Sequence, residues 1–175
     1  MPVLRSAVHG NAFMAEEEGG WYIERKNSEQ SLFTTKIVEE SLGFAKIFRA
    51  KASHKNWIHV AIPTISFAFD TNDFPNLHLQ NAFVFFDAVK GCLIRSIHMW
   101  DGIKPILIQD LNITGKHTDS KEPDINVFRP SIDHLMEGGL GISLYIEFPN
   151  DESHIWLYSA GAEFNLKLDQ ILKKV

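Results

Sequence analysis

The sequence predicts an all-β, single-domain protein, an antiparallel β-sandwich or jelly roll of about nine or ten strands, with a closed β-barrel as the alternative. Short segments of alternating apolar and polar residues recur along the chain, and turn-forming residues separate them at intervals of roughly 8 to 12 residues. The 175 residues, 45% hydrophobic and 11% aromatic, suffice for one core. We expect one domain over residues 1–175, with a core at about 6–164 and a tail at 165–175.

The N-terminal half contains four predicted strands. The first lies at residues 7–14, and the second begins at 21–23 after a turn of glutamates and glycines. Residues 43–50 predict an edge or half-exposed strand, with Phe44, Lys46 and Phe48 on one face and Ala45, Ile47 and Arg49 on the other. Residues 57–62 are apolar on both faces apart from one histidine, which predicts a central strand, and Pro63 ends it because proline has no N–H to donate.

The clearest pattern follows in the middle of the chain. Two alternating segments, 83–86 and 93–100, are joined at Lys90–Gly91 and predict a β-hairpin. Asp101–Gly102 is a tight-turn dipeptide that leads into a strand at 106–108, so three strands are expected in a meander.

The remaining segments are assigned in the same way. Residues 70–76 and 117–123 are rich in turn-forming or polar residues and predict surface loops, the second being the more mobile. Residues 141–148 and 154–164 predict a last hairpin. In the tail, the apolar residues from Leu166 onward are spaced for a short amphipathic helix.

Composition limits the classes of partner and the compartment. The net charge of −5 and pI near 5.9 provide no general attraction to polyanions, so we expect neither nucleic acid nor membrane as a partner. The sequence contains no run of about 18 apolar residues, the length that would predict a membrane span. The single cysteine, Cys92, excludes an intrachain disulfide, which favours a reducing compartment and a cytoplasmic location.

The candidate ligand-binding residues are Trp57, His59, His98, Trp100 and Asp101. Strand alternation puts Trp57 and His59 on one face of their strand, and His98 and Trp100 on one face of another. If those faces coincide, two tryptophans and two imidazoles form an aromatic surface with proton-transfer capacity, with Asp101 at its rim. The structural alternative is that each histidine hydrogen-bonds a backbone carbonyl beside the core. Sequence alternation does not decide between these alternatives.

No complete catalytic, metal or cofactor motif is present, so we predict no metal and no cofactor. The spacings of His98 with Asp101 and of His117 with Asp119 do not match zinc motifs, and the loop at 70–73 lacks EF-hand spacing. Residues 138–141 lack the lysine of a phosphate-binding loop and predict a tight turn or bulge. Cys92 and Ser143 are interpreted as a packed residue and a strand residue, because neither has the context of a nucleophile.

Four short sequence blocks carry a resemblance to a known family. They are residues 56–64, 97–102, 139–144 and 159–164. In this order they resemble an uncharacterised family of small, mainly bacterial all-β proteins, classed as a domain of unknown function. The resemblance spans most of residues 6–164 and implies the β fold, but it transfers no activity and no catalytic residues.

Three functions remain open at this point. The first is a non-catalytic binding module that recognises a carbohydrate, a small molecule or a protein partner through its aromatic face and loops. The second is a small pocket enzyme of isomerase or cyclase type that acts on a hydrophobic substrate, with His59 or His98 as acid or base. The third is an assembly subunit that uses an edge strand and the tail. The sequence does not determine the oligomeric state.

Overall fold

The computed structural model describes residues 3–16, 23–25, 37–64, 76–114 and 127–167, and these form two stacked β-sheets. Within these residues all strand pairs are antiparallel except one, the parallel pair of Ile23–Arg25 with Ile37–Ser41, and the sheets do not close into one barrel. The predicted sandwich architecture is therefore confirmed. The eight-stranded sheet consists of β1 (Val3–His9), β3 (Ile23–Arg25), β4 (Ile37–Ser41), β5 (Lys46–Ala50), β7 (Asn76–Val89), β10 (Val127–Phe128), β11 (Ser131–Leu135) and β13 (His154–Lys167).

The second sheet has five strands in the spatial order β2-β6-β12-β8-β9. These are β2 (Met14–Ala15), β6 (His54–Ile62), β8 (Leu93–Asp101), β9 (Lys104–Thr114) and β12 (Leu140–Phe148). As predicted, β6 lies inside the sheet and ends immediately before Pro63. The turn at Asp101–Gly102 forms the expected β8–β9 hairpin.

The core lies between the two sheets and is built by the inward residues of each strand. Along β12 every second residue is fully buried, and β6 and β8 contribute matching apolar side chains. The eight-stranded sheet adds the inward residues of β7 and β13, which make the most extensive strand pair of the fold. The largest buried side chains include Phe13, Phe48, Phe86 and Phe148.

Two predicted hairpins are wrong, although their strands exist. The turn at Lys90–Gly91 joins β7 of the eight-stranded sheet to β8 of the five-stranded sheet, so these two strands do not pair. The turn at 149–153 likewise joins β12 to β13 across the sandwich. The meander of three strands is thereby reduced to the β8–β9 hairpin. A tight turn between two half-buried strands has the same sequence pattern in a hairpin and in a connection between sheets.

Three of the connections between the sheets contact one another at one end of the sandwich. We call them the turn cluster (residues 51–53, 90–92 and 149–153). Lys90 accepts hydrogen bonds through its carbonyl oxygen from Asn150 Nδ2 and from Ser153 Oγ, both at 2.9 Å. The Ala52 N–H donates to Asp151 Oδ1 at 2.8 Å. Three segments that are distant in the sequence are therefore held together by polar contacts.

The strand predicted at 43–50 is not an edge strand. β5 lies between β13 and β4, and its residues are buried apart from Arg49. Lys46, at the start of this strand, is itself buried. Lys46 Nζ lies 3.0 Å from Glu39 Oε2 and donates to the Phe13 carbonyl oxygen at 2.5 Å.

The helix predicted for the tail is wrong at its start, because β13 continues through Lys167 and contains Leu166. Residues 168–175 lie outside the described residues, as do the predicted loop at 117–123 and residues 70–75 of the loop predicted at 70–76, whose last residue begins β7. The one helical segment among the described residues is a 3-10 turn at Gly10–Ala12. No helix in that part of the chain has the length and apolar character needed to cross a membrane.

Candidate functional site

The candidate site lies on the outer face of the five-stranded sheet, where β6, β12 and β8 run side by side. In the register of these strands, Ser143 of β12 is opposite His59 on one side and opposite His98 on the other. Met14 extends this row beyond His59, and Ile108 extends it beyond His98. The two histidines therefore face the same side of the sandwich, with one strand between them.

Aromatic rings fill this face around the two histidines. The ring centroid of Trp57 is 4.9 Å from that of Tyr145 and 4.4 Å from that of His98. The Trp57 indole thus reaches across β12, which is permitted because the intervening Ser143 is small. The ring of Trp100 lies 6.2 Å from His98. We call the set Trp57, His59, His98, Trp100 and Tyr145 the aromatic face.

All five side chains of the aromatic face are half-buried. The apolar residues on both faces of their strands predict that Trp57 and Trp100 are largely buried, and in agreement with this neither side chain is exposed. Each ring is covered at its edges by its neighbours on the same sheet and keeps part of its surface in solvent. Aromatic surface is therefore exposed on the outside of the sheet, with neighbouring ring planes tilted against one another by 33° to 58°.

His59 is fixed by a hydrogen bond to its cross-strand neighbour. Its Nδ1 lies 2.8 Å from Ser143 Oγ. Burial lowers the pKa of His59 below its usual value, and the negative charge of Glu16 only partly offsets this effect. His59 is therefore predominantly neutral at pH 7, with one ring nitrogen as donor and the other as acceptor.

A group of charged and polar side chains adjoins the aromatic rings on the same face, and we call it the polar flank (Lys55, Arg95, Asn112 and Glu147). Glu147 Oε2 accepts from Arg95 Nε at 2.6 Å and lies 3.3 Å from Lys55 Nζ. Arg95 also donates to Asn112 Oδ1 at 2.5 Å. The hydrogen bond from Arg95 lowers the pKa of Glu147, against the opposing effect of burial, so this carboxylate remains ionised.

Asp101 does not lie on the aromatic face. It follows Trp100 in β8, so its side chain points to the opposite side of the sheet, into the sandwich. There its carboxylate accepts from the backbone N–H groups of Glu137 and Gly138 at 2.8 and 2.5 Å, and His134 Nε2 lies 3.0 Å away. The structure thus brings together four of the five predicted residues, whereas Asp101, at the end of β8, has a structural role in holding the turn between β11 and β12.

Tyr145 and the polar flank were not selected from the sequence. The signal for Tyr145 was its position two residues after Ser143 and two before Glu147, on the face of β12 opposite to Ile142, Leu144 and Ile146. What the sequence lacked was the strand order, since only the insertion of β12 between β6 and β8 puts Tyr145 beside Trp57.

No family model and no curated protein matches the sequence. Among solved structures, the chain is similar to a family 29 carbohydrate-binding module with a TM-score of 0.43 and 10% identity, covering 93% of this chain and 87% of that one. It is also similar to a secreted serine protease from Vibrio cholerae with a TM-score of 0.34 and 9% identity, covering 70% of this chain and 22% of that one. These similarities assign neither a family nor a function. The resemblance to the uncharacterised bacterial family stays a prediction.

No group of three or more histidine, cysteine, aspartate or glutamate side chains is arranged to hold a metal ion among the residues that the structure describes. His117, Asp119 and the loop at 70–73 lie outside those residues. Cys92 is fully buried, as its interpretation as a packed residue requires.

Proposed function

We propose that this protein is a non-catalytic binding module and that its ligand is a carbohydrate bound on the aromatic face. The observation that carries the proposal is the placement of Tyr145, Trp57, His98 and Trp100 on the outside of one sheet, with successive ring centroids in this series 4.9, 4.4 and 6.2 Å apart. The C–H face of a sugar ring packs on such flat rings, and two tryptophans offer the largest area for this contact.

The polar flank supports a sugar rather than a purely apolar ligand. Glu147 is held ionised beside Arg95 and provides a carboxylate acceptor, while Lys55 and Arg95 are partly exposed donors. Sugar hydroxyls both donate and accept hydrogen bonds, so this flank matches the edge of a sugar ring whose face lies on the aromatic residues. His59, with one donor and one acceptor nitrogen, adds a second polar edge near Met14.

The charges of this face favour a neutral sugar. Lys55 and Arg95 are balanced by Glu147 and by Asp110, which lies opposite Ser96 on the neighbouring strand. The chain as a whole carries a net charge of −5. An anionic polysaccharide would meet no excess of positive charge here. We therefore expect neutral polysaccharides to bind better than those rich in carboxylate or sulfate groups.

Acid–base catalysis by the two histidines together is not supported by their spacing. Strands in a sheet lie about 4.8 Å apart, so the backbones of His59 and His98, with β12 between them, are separated by about 10 Å. In addition, the Nδ1 atom of His59 is already paired with Ser143 Oγ at 2.8 Å, so this nitrogen is not available as an acid or base toward a substrate shared with His98. Each histidine instead borders a stretch of surface about as wide as a sugar ring.

Affinity gel electrophoresis followed by titration calorimetry tests the proposal. The probes are a panel of soluble neutral polysaccharides with β-linked glucan, mannan and xylan backbones, together with pectin as an anionic comparison. We expect at least one neutral member to retard the protein, and Trp57→Ala and Trp100→Ala each to weaken its binding about tenfold or more. Ile103→Ala is the matched control, because Ile103 is 98% exposed in the β8–β9 turn and belongs neither to the aromatic face nor to the polar flank.

Two results would refute the carbohydrate proposal. One is the absence of retardation by every polysaccharide in the panel. The other is binding that Trp57→Ala and Trp100→Ala leave unchanged while circular dichroism shows both variants folded. Capture of a protein partner that depends on Trp57 would favour the assembly alternative instead, because the same rings would then form a protein interface.

A further inference from the structure

We propose a second glycan-binding site on the outer face of the eight-stranded sheet, formed by Phe44, Trp156 and Tyr158, which we call the second platform. Its ligand class rests on the proposed function. The inference goes beyond that function because two sites on opposite faces allow one molecule to hold two polysaccharide chains.

The alternation of β13 places the second platform outside the core. Ile155 and Leu157 are fully buried in the sandwich, and Trp156 between them faces the other way and is half-buried. Phe44 lies in the turn before β5, where it is 59% exposed, and its ring contacts the rings of both Trp156 and Tyr158. An exposed phenylalanine in a turn is thus fixed against two further aromatic side chains.

The geometry of the three rings indicates a flat surface. The ring centroids of Phe44, Trp156 and Tyr158 are 6.2, 6.3 and 6.4 Å apart in the three pairs, and the ring planes differ by only 13° to 26°. Three parallel rings stacked in successive layers would place the outer two about 7 Å apart or more, since each layer needs roughly 3.5 Å. All three distances are shorter. At least two rings therefore lie side by side, and a flat aromatic surface of this kind suits the face of a sugar ring.

Polar groups border the second platform as they border the first site. Glu40, Ile47, Trp156 and Asp87 form one row across the outer face. Tyr158 donates its hydroxyl to Asp87 Oδ2 at 2.7 Å, which fixes the ring. Arg49 lies 3.9 Å from Glu40 and is half exposed. Carboxylates and a guanidinium at the ring edges supply partners for sugar hydroxyls.

The structural alternative is that the rings only cover Ile47, which lies opposite Trp156 and is 2% exposed although it faces outward. Such a cover would affect stability but not binding. The two roles are therefore separated by measuring both properties on the same variants.

The two aromatic surfaces point in opposite directions, because the stacked sheets lie between them about 10 Å apart. One straight polysaccharide chain does not contact both. The wild-type protein is therefore expected to cross-link a long polysaccharide, with turbidity that rises and then falls as protein is added in excess. A single-site module would bind without this maximum.

The test combines calorimetry and turbidity on the full chain, using the neutral polysaccharide that is retarded most in the affinity gel. We compare the wild type, Trp57→Ala/Trp100→Ala, Phe44→Ala/Trp156→Ala and the combination of all four changes. We expect each double variant to keep weakened binding but lose the turbidity maximum, and the fourfold variant to lose binding altogether. Phe44→Ala alone, at an exposed turn residue, replaces the second double variant if that variant does not fold.

The outcomes separate the two proposals. If Trp57→Ala/Trp100→Ala abolishes all binding, the second platform does not bind glycan and the inference is overturned, while the proposed function stands. If only Phe44→Ala/Trp156→Ala reduces binding, the second platform is the site and the function proposed for the aromatic face is overturned. If the folded Phe44 and Trp156 variants change stability alone, the rings are a cover for Ile47. If the wild type binds no polysaccharide, both proposals fail.

Discussion

His134 Nε2 lies 3.0 Å from Asp101 Oδ2 and so joins β11 of the eight-stranded sheet to the end of β8 in the five-stranded sheet. Because an ionised carboxylate only accepts hydrogen bonds, the imidazole is the donor. The same carboxylate accepts from two backbone N–H groups of the β11–β12 turn. One buried side chain therefore holds together a turn and both sheets.

Asp101→Asn is expected to lower the free energy of unfolding by about 2–4 kcal/mol at pH 7, because the amide cannot replace every acceptor contact of the carboxylate. Burial opposes ionisation of Asp101, but the hydrogen bonds from Glu137, His134 and Gly138 hold its pKa below the usual value. The stability that this group contributes is present above the pKa of the unfolded chain and is lost as pH falls through the folded pKa. Urea denaturation at pH 7 and pH 3 should therefore show a smaller difference in the free energy of unfolding between wild type and Asp101→Asn at pH 3. An unchanged gap would contradict this role.

Gly161→Ala is expected to destabilise the fold by about 1–3 kcal/mol. A Cβ atom at Gly161 would lie 2.4 Å from Phe83 Cζ and 2.4 Å from the Ser6 carbonyl oxygen, so both neighbouring strands would have to move. Gly139→Ala is the matched control, since a Cβ there meets no atom within 4 Å. Thermal unfolding of the two variants checks the prediction, and equal melting temperatures would contradict it.

Lys46→Met is expected to cost about 3–5 kcal/mol, because it leaves the buried carboxylate of Glu39 without its positive partner. Arg49→Met removes a half-exposed cation 3.9 Å from Glu40 and should cost about 1 kcal/mol or less. Adding Glu39→Gln to Lys46→Met should recover part of the loss, because no unpaired charge then remains buried. Denaturant titration of the wild type, Lys46→Met, Glu39→Gln and the double variant measures the coupling. If the losses in the free energy of unfolding are additive, Lys46 and Glu39 do not stabilise each other.

Cys92 is expected to be unreactive in the native protein. Burial raises the pKa of its thiol to about 12, and a weaker opposing effect comes from a backbone hydrogen bond at Leu93. At pH 8 the thiol should react with an aromatic disulfide reagent roughly a thousand times more slowly than in denaturant, because the thiolate is the nucleophile. Cys92→Ala gives the blank for the assay. Rapid labelling of the folded protein would show that the thiol is accessible.

The main strands of the five-stranded sheet and β13 were predictable from the sequence, whereas β4, β10 and β11 were not selected and the pairing of the strands was not predictable. Alternation is a local property, so β6, β8, β12 and β13 were recognised from their own residues. Lys90 and Gly91 both have positive φ, 54° and 77°, the conformation of a tight hairpin turn, yet the strands on either side enter different sheets. Only the packing of the whole sandwich decides whether the two strands pair with each other or enter different sheets.

The same limit applies to the candidate site. Alternation showed that Trp57 and His59 share a face, and that His98 and Trp100 share a face, but Ser143 is the residue that places both pairs on one surface. Asp101 was misplaced because adjacency in sequence to Trp100 means the opposite side of the sheet. The strand at 43–50 was misassigned as an edge because its own residues do not show which strands lie beside it, and the burial of Lys46 depends on Glu39 from one of those neighbours.

The position of β12 and β13 has a consequence for the order in which the fold is completed during synthesis. β12 lies between β6 and β8, and β13 lies between β7 and β5 and also pairs with β1. A chain that emerges from the ribosome therefore presents β6, β7 and β8 with exposed backbone edges until residues 140–167 are made. Folding then requires β12 and β13 to pair with strands that are distant in the sequence, and this pairing comes late. We expect folding to be cooperative and slow, on the millisecond-to-second scale.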